Sequence, residues 1–246
     1  MLIIRSDDVV KKYRKFVALK GVSLEVGPGI TCLLGRNGAG KSTLVRQLVG
    51  IEQPTSGTVE LELDDRHVSG RERFAVMGWL PQSFGYPRSL SVTDFVSYAA
   101  WLKEYAGDLA EDRVAEVVEQ VGLTQSADKR LGELSGGMLR RAGLAAAIVH
   151  RPAGLILDEP TAGLDPVQRA DFHERILALG ESTTVLLATH LLEDVDAVAT
   201  SVAVLDEGQA VWRGRREELA AAGGSDTVTV DSLRDGLLEL IGGELS

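Results

Sequence analysis

The nine residues from Gly35 to Thr43, GRNGAGKST, constrain this chain more than any other stretch. They satisfy the pattern G-x-x-x-x-G-K-[ST]. They also come after GITCLLG, a continuous apolar run of the kind that forms a strand buried on both faces. With a helix expected after them, they read as a strand–loop–helix unit. Across Gly35, Arg36, Asn37, Gly38, Ala39 and Gly40 the small residues let backbone N–H groups converge on phosphate oxygens. Lys41 then supplies a positive charge to the β and γ phosphates of a nucleotide. The Ser42 hydroxyl, with Thr43 closing the motif, offers an oxygen ligand to Mg²⁺.

The segments on either side of the loop predict the layer structure. The first third is rich in strands, with VALKGVSLEV (Val17–Val26), GTVELEL (Gly57–Leu63) and RFAVMGWLPQ (Arg73–Gln82), the last ending at a proline. A helical block runs from about Phe84 to Leu131. SVTDFVSYAAWLKEYAG opens on Ser91 with Asp94 three residues on, a capping-box start, and stops at Gly107. LAEDRVAEVVEQVG places Leu109, Val114, Val117, Val118 and Val121 on one helical face and ends at Gly122. Another helix runs from Gly136 to about His150. GLILD, TTVLLAT and SVAVLD then alternate with helical segments, and GQAVWRG reads as a further strand. This alternation predicts an α/β fold with a mainly parallel sheet and helices on its faces. The tail after Gly223 suggests one strand and one helix, with no evident task. No internal repeat occurs.

Bulk properties exclude several classes. A chain of 246 residues suits one domain, or one with a small appendage, and buries a sizeable core. Its net charge of -10 makes it a poor binder of nucleic-acid phosphates, and the acidity otherwise serves solubility. The single cysteine, Cys32, lies in an apolar run and reads as a core residue. No disulfide within the chain is possible, which suits a reducing compartment. The N-terminus turns charged within five residues, unlike a signal peptide. No stretch approaches the roughly 18 apolar residues of a membrane helix, so a membrane role has to come through a partner.

Five further segments carry chemistry. In GLILDEP (Gly154–Pro160) an apolar strand delivers two carboxylates to its C-terminal end, where parallel sheets place their sites. Asp158 is the candidate for holding Mg²⁺. Glu159, pointing the other way along the pleat, is placed to orient a water molecule or take its proton. His190 comes after the strand TTVLLAT, where an imidazole serves structure, contacts a γ-phosphate or positions water. Gln82 ends another strand, and its amide reaches Mg²⁺ or the water, or faces solvent in a surface loop. Tyr13, in KKYRKFVALKG, stacks on a base or covers the surface; spacing does not choose. GELSGGMLRRAGLAAA (Gly132–Ala147) adds a second anion site: Ser135, Gly136 and Gly137 open a helix with free N–H groups and no lysine.

Together these motifs resemble the ATP-binding subunit of an ABC transporter over about Leu2–Leu219. GRNGAGKST is similar to its Walker A loop, GLILDEP to its Walker B strand and LSGGM (Leu134–Met138) to its signature. LPQ resembles the Q-loop, ATH the switch-histidine loop and AGLDP (Ala162–Pro166) the D-loop. Tyr13 stands where that family keeps its adenine-stacking aromatic. The resemblance implies an α/β P-loop NTPase of ABC type: a parallel core, an antiparallel β subdomain and a helical subdomain inserted at about residues 84–150. The ATPase domain would span residues 1–222, leaving 223–246 as a tail. ATP and Mg²⁺ are the implied cofactors. Two such subunits, identical or different, meet head to tail, so that Ser135, Gly136 and Gly137 read the γ-phosphate held by the partner and Asp165 lies near the interface. Glu159 and His190 are then the catalytic pair, with Ser42, Gln82 and Asp158 around the metal. The other partner is an integral membrane permease docked on the inserted helical block, including Phe84 to Tyr105, with the chain peripheral on the inner face of the cell membrane and no nucleic acid involved. The signature carries Met138 where glutamine is usual, a change that leaves the N–H cradle intact. Several segments look most like drug- and lipid-efflux exporters. A non-transport ABC ATPase working on a cytosolic assembly is the alternative. About 115 residues separate Lys41 from Asp158, too few for the coiled coils of the DNA-repair type. Nucleotide kinases and GTPases lack LSGG, and the guanine-reading [NT]-K-x-D is absent.

Overall fold

The computed structural model describes residues 1–104 and 109–242; Tyr105, Gly107 and the side chain of Leu109 lie outside that set. Two long strands, β1 (Leu2–Tyr13) and β2 (Phe16–Val26), precede β3 (Ile30–Leu34), the P-loop and α1 (Lys41–Leu48). Next come β4 (Ser56–Leu63), β5 (Arg66–Val68), α2 (Glu72–Val76) and β6 (Met77–Leu80). A helical layer is next, α3 (Val92–Leu102), α4 (Leu109–Gln120) and α5 (Gly136–Ile148). The chain then alternates through β7 (Gly154–Asp158), α6 (Pro166–Gly180), β8 (Thr184–Thr189), α7 (Leu192–Val198) and β9 (Ser201–Asp206). It ends on β10 (Gln209–Arg215), α8 (Arg216–Ala222) and α9 (Val230–Leu240).

Strands β6, β7, β8, β3 and β9 lie side by side in that order and parallel, with β10 antiparallel at the edge. Strands β2, β1, β4 and β5 form a second, antiparallel sheet. The continuous apolar runs divide between two cores by the two-residue period of the pleat. In β3, Ile30, Cys32 and Leu34 face the helices, while Leu33 faces the core shared by the two sheets. In β7 and β8, Leu155, Leu157, Val185 and Leu187 take the helical side and Ile156, Leu186 and Ala188 the other. Helix α1 lays Leu44, Val45 and Leu48 in the shared core, which fixes the P-loop against the sheet.

The capping box at α3 forms as expected: the Ser91 hydroxyl accepts from the Asp94 N–H at 3.0 Å, and the Asp94 carboxylate accepts from the Ser91 N–H at 3.4 Å. Val114, Val117 and Val118 of α4, and Val121 just after it, are buried against the layer. Three segments differ from the sequence expectation. Strand β1 lacks a strand signature, because a register shift between Ser6 and Val9 breaks its alternation at the two aspartates. Residues Arg73–Val76 belong to α2, so that strand starts only at Met77. No strand forms among the described residues of the tail; Thr229 instead caps α9, accepting from the Ser232 N–H at 3.1 Å.

Helix α9 packs on α8 at Gly236, where an added Cβ would collide with the Leu219 carbonyl. Overpacking of this kind costs about 1–3 kcal/mol. Gly236→Ala is therefore expected to lower stability by that amount in urea unfolding, with limited proteolysis starting in the tail.

Candidate nucleotide site

Strand β8 lies between β3 and β7, so the residues after all three emerge at one edge of the sheet. The P-loop comes after β3, Asp158 ends β7 and His190 comes after β8. Gly40 leads into α1 with a φ of 106°, a conformation open to glycine. A Cβ there would also lie 2.9 Å from the Ala18 carbonyl oxygen. Lys41 is 5% exposed, and its ammonium donates to the carbonyls of Gly35 at 2.7 Å and Arg36 at 3.2 Å. It also pairs with the Glu159 carboxylate at 3.2 Å. The other Glu159 oxygen lies 2.7 Å from His190 Nδ1. Lys41, Glu159 and His190 thus form a connected chain across the mouth of the loop.

Glu159 sits at a φ of 48°, a left-handed conformation that costs a non-glycine residue about 1–3 kcal/mol. Its N–H donates to the Ala188 carbonyl of β8 at 2.8 Å. This twist turns the carboxylate toward the loop, while the preceding Asp158 faces Ser42, whose hydroxyl donates to Asp158 Oδ1 at 3.2 Å. Burial pushes the Asp158 carboxyl above its ordinary range, and the bond from Ser42 pulls the other way. Two oxygen donors side by side fit a hard divalent cation. No cluster of three or more His, Cys, Asp or Glu side chains able to hold a metal occurs among the described residues. A cation held by these two oxygens would need further ligands from substrate and water, as Mg²⁺ commonly takes.

A cavity of about 340 Å³ opens over Asn37, Gly38, Gly40, Lys41, Ser42 and Thr43, with Gln82, Glu159 and Phe16 completing its walls. Tyr13 does not line it. The Tyr13 hydroxyl donates to Glu52, and Lys11 Nζ lies 5.4 Å from the centre of its ring. Phe16, directly opposite Tyr13 in the β1–β2 pairing and 66% exposed, supplies the aromatic face of the cavity instead. The segment YRKF offers both aromatics; only the hairpin register distinguishes them.

Ser135, Gly136 and Gly137 do not line this cavity either. Ser135 caps α5 by accepting from the Met138 N–H at 3.3 Å. A Cβ on Gly136 would meet open space, whereas one on Gly137 would press on the Gln168 side chain of α6. Asp165 caps α6, accepting from the Gln168 N–H at 2.9 Å. The P-loop, Gln82 and Glu159 are thus brought together around the cavity, with Asp158 and His190 bonded to its walls. The helix start at Ser135–Gly137 lies outside this cavity.

One buried network has no signature in the sequence. The Asp194 carboxylate accepts from the hydroxyls of Thr161 at 2.7 Å and Thr189 at 2.6 Å and contacts His173 Nε2 at 2.8 Å. It joins the turn after Glu159, the residue before His190, α6 and α7. Burial opposes its charge, yet the bonds from His173, Thr189 and Thr161 outweigh burial and hold the carboxyl below the usual carboxylate range.

Residues 19–162 match the family model described as ABC transporter. The daunorubicin/doxorubicin resistance ATP-binding protein DrrA of Streptomyces peucetius is 36% identical, over 92% of this chain and 69% of the relative. The linearmycin resistance ATP-binding protein LnrL of Bacillus subtilis (strain 168) is 32% identical, over 97% of this chain and 78% of the relative. A solved ATP-binding subunit of an ABC transporter shares the fold at a TM-score of 0.82 and 22% identity, covering 97% of this chain and 99% of that one. A dimeric ATP-binding cassette in a post-hydrolysis state, bound to ADP and Pi, does so at 0.75 and 23%, covering 86% and 98%. The site thus lies on a nucleotide-binding P-loop ATPase of the ABC type. The chain belongs to the ABC transporter family, as an ATP-binding and ATP-hydrolysing subunit.

Asp194→Ala leaves three buried donors facing no acceptor and is expected to cost about 3–5 kcal/mol at pH 7 in urea unfolding. Because the folded-state pKa is depressed, this stabilisation is fully present above the unfolded value of about 3.9. It is lost as pH falls through the folded value, so the parent and Asp194→Ala curves are expected to converge in acid.

Proposed function

We propose that this chain is the cytoplasmic ATPase subunit of an exporter, pairing head to tail with a second ATP-binding subunit and driving a separate membrane permease. The observation that carries the catalytic part is the Lys41–Glu159–His190 chain at the cavity mouth, with contacts of 3.2 and 2.7 Å. Lys41 is held by Glu159 and two loop carbonyls, so arriving phosphate oxygens replace a carboxylate as its counter-charge. Glu159, released from Lys41, keeps its contact with His190 and accepts the proton of the attacking water. His190 fixes the direction of that carboxylate. Ser42, Asp158 and Gln82 would hold Mg²⁺, which when bound neutralises charge on the β and γ phosphates. Phe16 takes the stacking role in place of Tyr13, because Phe16 lines the cavity.

The open helix start at Ser135–Gly137 supports the head-to-tail pairing. Its N–H groups are set to meet the γ-phosphate of a partner's ATP, with Asp165 close by, and the second chain is identical or different. Residues 1–222 form the ATPase unit on this reading. The helical insert at about 84–150 docks the permease, and residues 223–246 form a separate tail. Among the described residues no helix is long and apolar enough to cross a membrane, which supports a peripheral place on a permease at the inner face. The resistance proteins DrrA and LnrL support export over a non-transport role.

Glu159→Gln keeps shape and removes the base. Turnover is expected to fall about 10²–10⁴-fold, while ATP binding survives. With ATP and Mg²⁺ the variant should elute as a dimer in size-exclusion chromatography, where the parent runs mainly as a monomer. Normal turnover in Glu159→Gln would remove the residue from this role.

Pairing is tested by mixing two defective chains. Lys41→Ala has a disabled P-loop and an intact signature. Gly136→Asp has the converse, and its carboxylate occupies open space facing the phosphate. A mixed dimer holds one whole site, so a single turnover is expected in the mixture and in neither variant alone. A mixture without turnover, with mixed dimers demonstrated by cross-linking, would count against action across chains.

A further inference from the structure

One guanidinium joins the second anion cradle to the catalytic edge. Arg140 lies five residues after Ser135, on α5. Its Nε donates to the Pro160 carbonyl at 3.1 Å. One terminal nitrogen donates to the carbonyls of Pro81 at 2.8 Å and Gln82 at 2.7 Å. The other donates to those of Asp158 at 3.4 Å and Glu159 at 2.6 Å. An arginine has five N–H donors in a rigid plane, and here five main-chain carbonyls take them all. These carbonyls come from two places, the end of β6 at Gln82 and the turn after β7 at Glu159. Three residues further along α5, Gly143 brings the helix against β6: an added Cβ would lie 2.7 Å from the Phe84 ring and 2.8 Å from Leu80.

The bond to Glu159 is the informative one. That residue holds a left-handed backbone, a conformation that persists where its surroundings over-determine it. Its N–H is fixed by Ala188 and its carbonyl by Arg140. Both ends of the strained residue are therefore tied, one to the strand that leads to His190 and the other to the helix that begins at Ser135.

We propose that Arg140 is a positioning residue for hydrolysis. It holds the Glu159 turn so that the carboxylate meets Lys41 and His190, and it ties that turn and Gln82 to α5. Engagement of phosphate at the start of α5 and orientation of Glu159 are then one linked state. This inference rests on the catalytic role proposed for Glu159. Lysine does not replace arginine here, because an ammonium has three donors and no plane.

The test uses the full chain with Arg140→Gln and Arg140→Lys, each checked for folding by circular dichroism and a thermal melt. Arg140 does not line the P-loop cavity. Binding of Mg-ATP is therefore expected to stay within threefold of the parent, measured with Glu159→Gln added to stop turnover. The kcat per folded chain should fall at least tenfold in both variants. If Arg140→Gln does not fold, Arg140→Lys decides alone by the same criteria. Turnover within threefold of the parent overturns the proposal. So does a loss of affinity in proportion to the loss of kcat, which marks a general structural role. The Glu159 reading fails separately, through normal turnover of Glu159→Gln in an otherwise unaltered chain.

Discussion

The parallel ladder of β3, β8 and β7 sets where every charged group of the site meets. Parallel strands of matched length end in step, so the loops after them share one edge. Lys41 begins the helix after β3, Glu159 comes directly after β7 and His190 directly after β8. None of these contacts forms if the order in the sheet changes. The ladder is stable because the apolar residues of its strands are used on both faces, half against the helices and half against the antiparallel sheet. Catalytic geometry and the two cores are thus consequences of one strand order.

The buried charges obey the same logic. Lys41 and Glu159 are each about 95% buried, and such groups persist only when paired and hydrogen-bonded. Lys41 has two carbonyls and a carboxylate; Glu159 has the ammonium and an imidazole. Asp194, fully buried behind them, has three side-chain partners. Lys41, Glu159 and Asp194 are therefore a set of buried charges, each satisfied by main-chain or side-chain bonds, beneath a cavity that opens to solvent.

Much of this architecture is legible in the sequence, and the reasons differ by segment. Strands β3, β7 and β8 are mostly apolar, so their burial shows in any window. The P-loop is readable from its motif, and the placement of Glu159 and His190 at one sheet edge from the ends of such strands, whereas spacing alone left the task of His190 open. Strand β1 is hidden by a bulge at Asp7 and Asp8, which moves its alternation out of phase. The choice between Tyr13 and Phe16 depends on hairpin register and on where Glu52 lies, both outside local spacing. Arg140 bonds only to residues 18 or more positions away, and two of the three side-chain partners of Asp194 lie 21 or more positions away, outside any local pattern.

Because one oxygen of the Glu159 carboxylate already pairs with the Lys41 ammonium at the cavity wall, an anion that enters the cavity and approaches that ammonium meets a counter-charge already in place. The resting chain thereby keeps a buried cation neutralised by a residue of its own before any ligand enters.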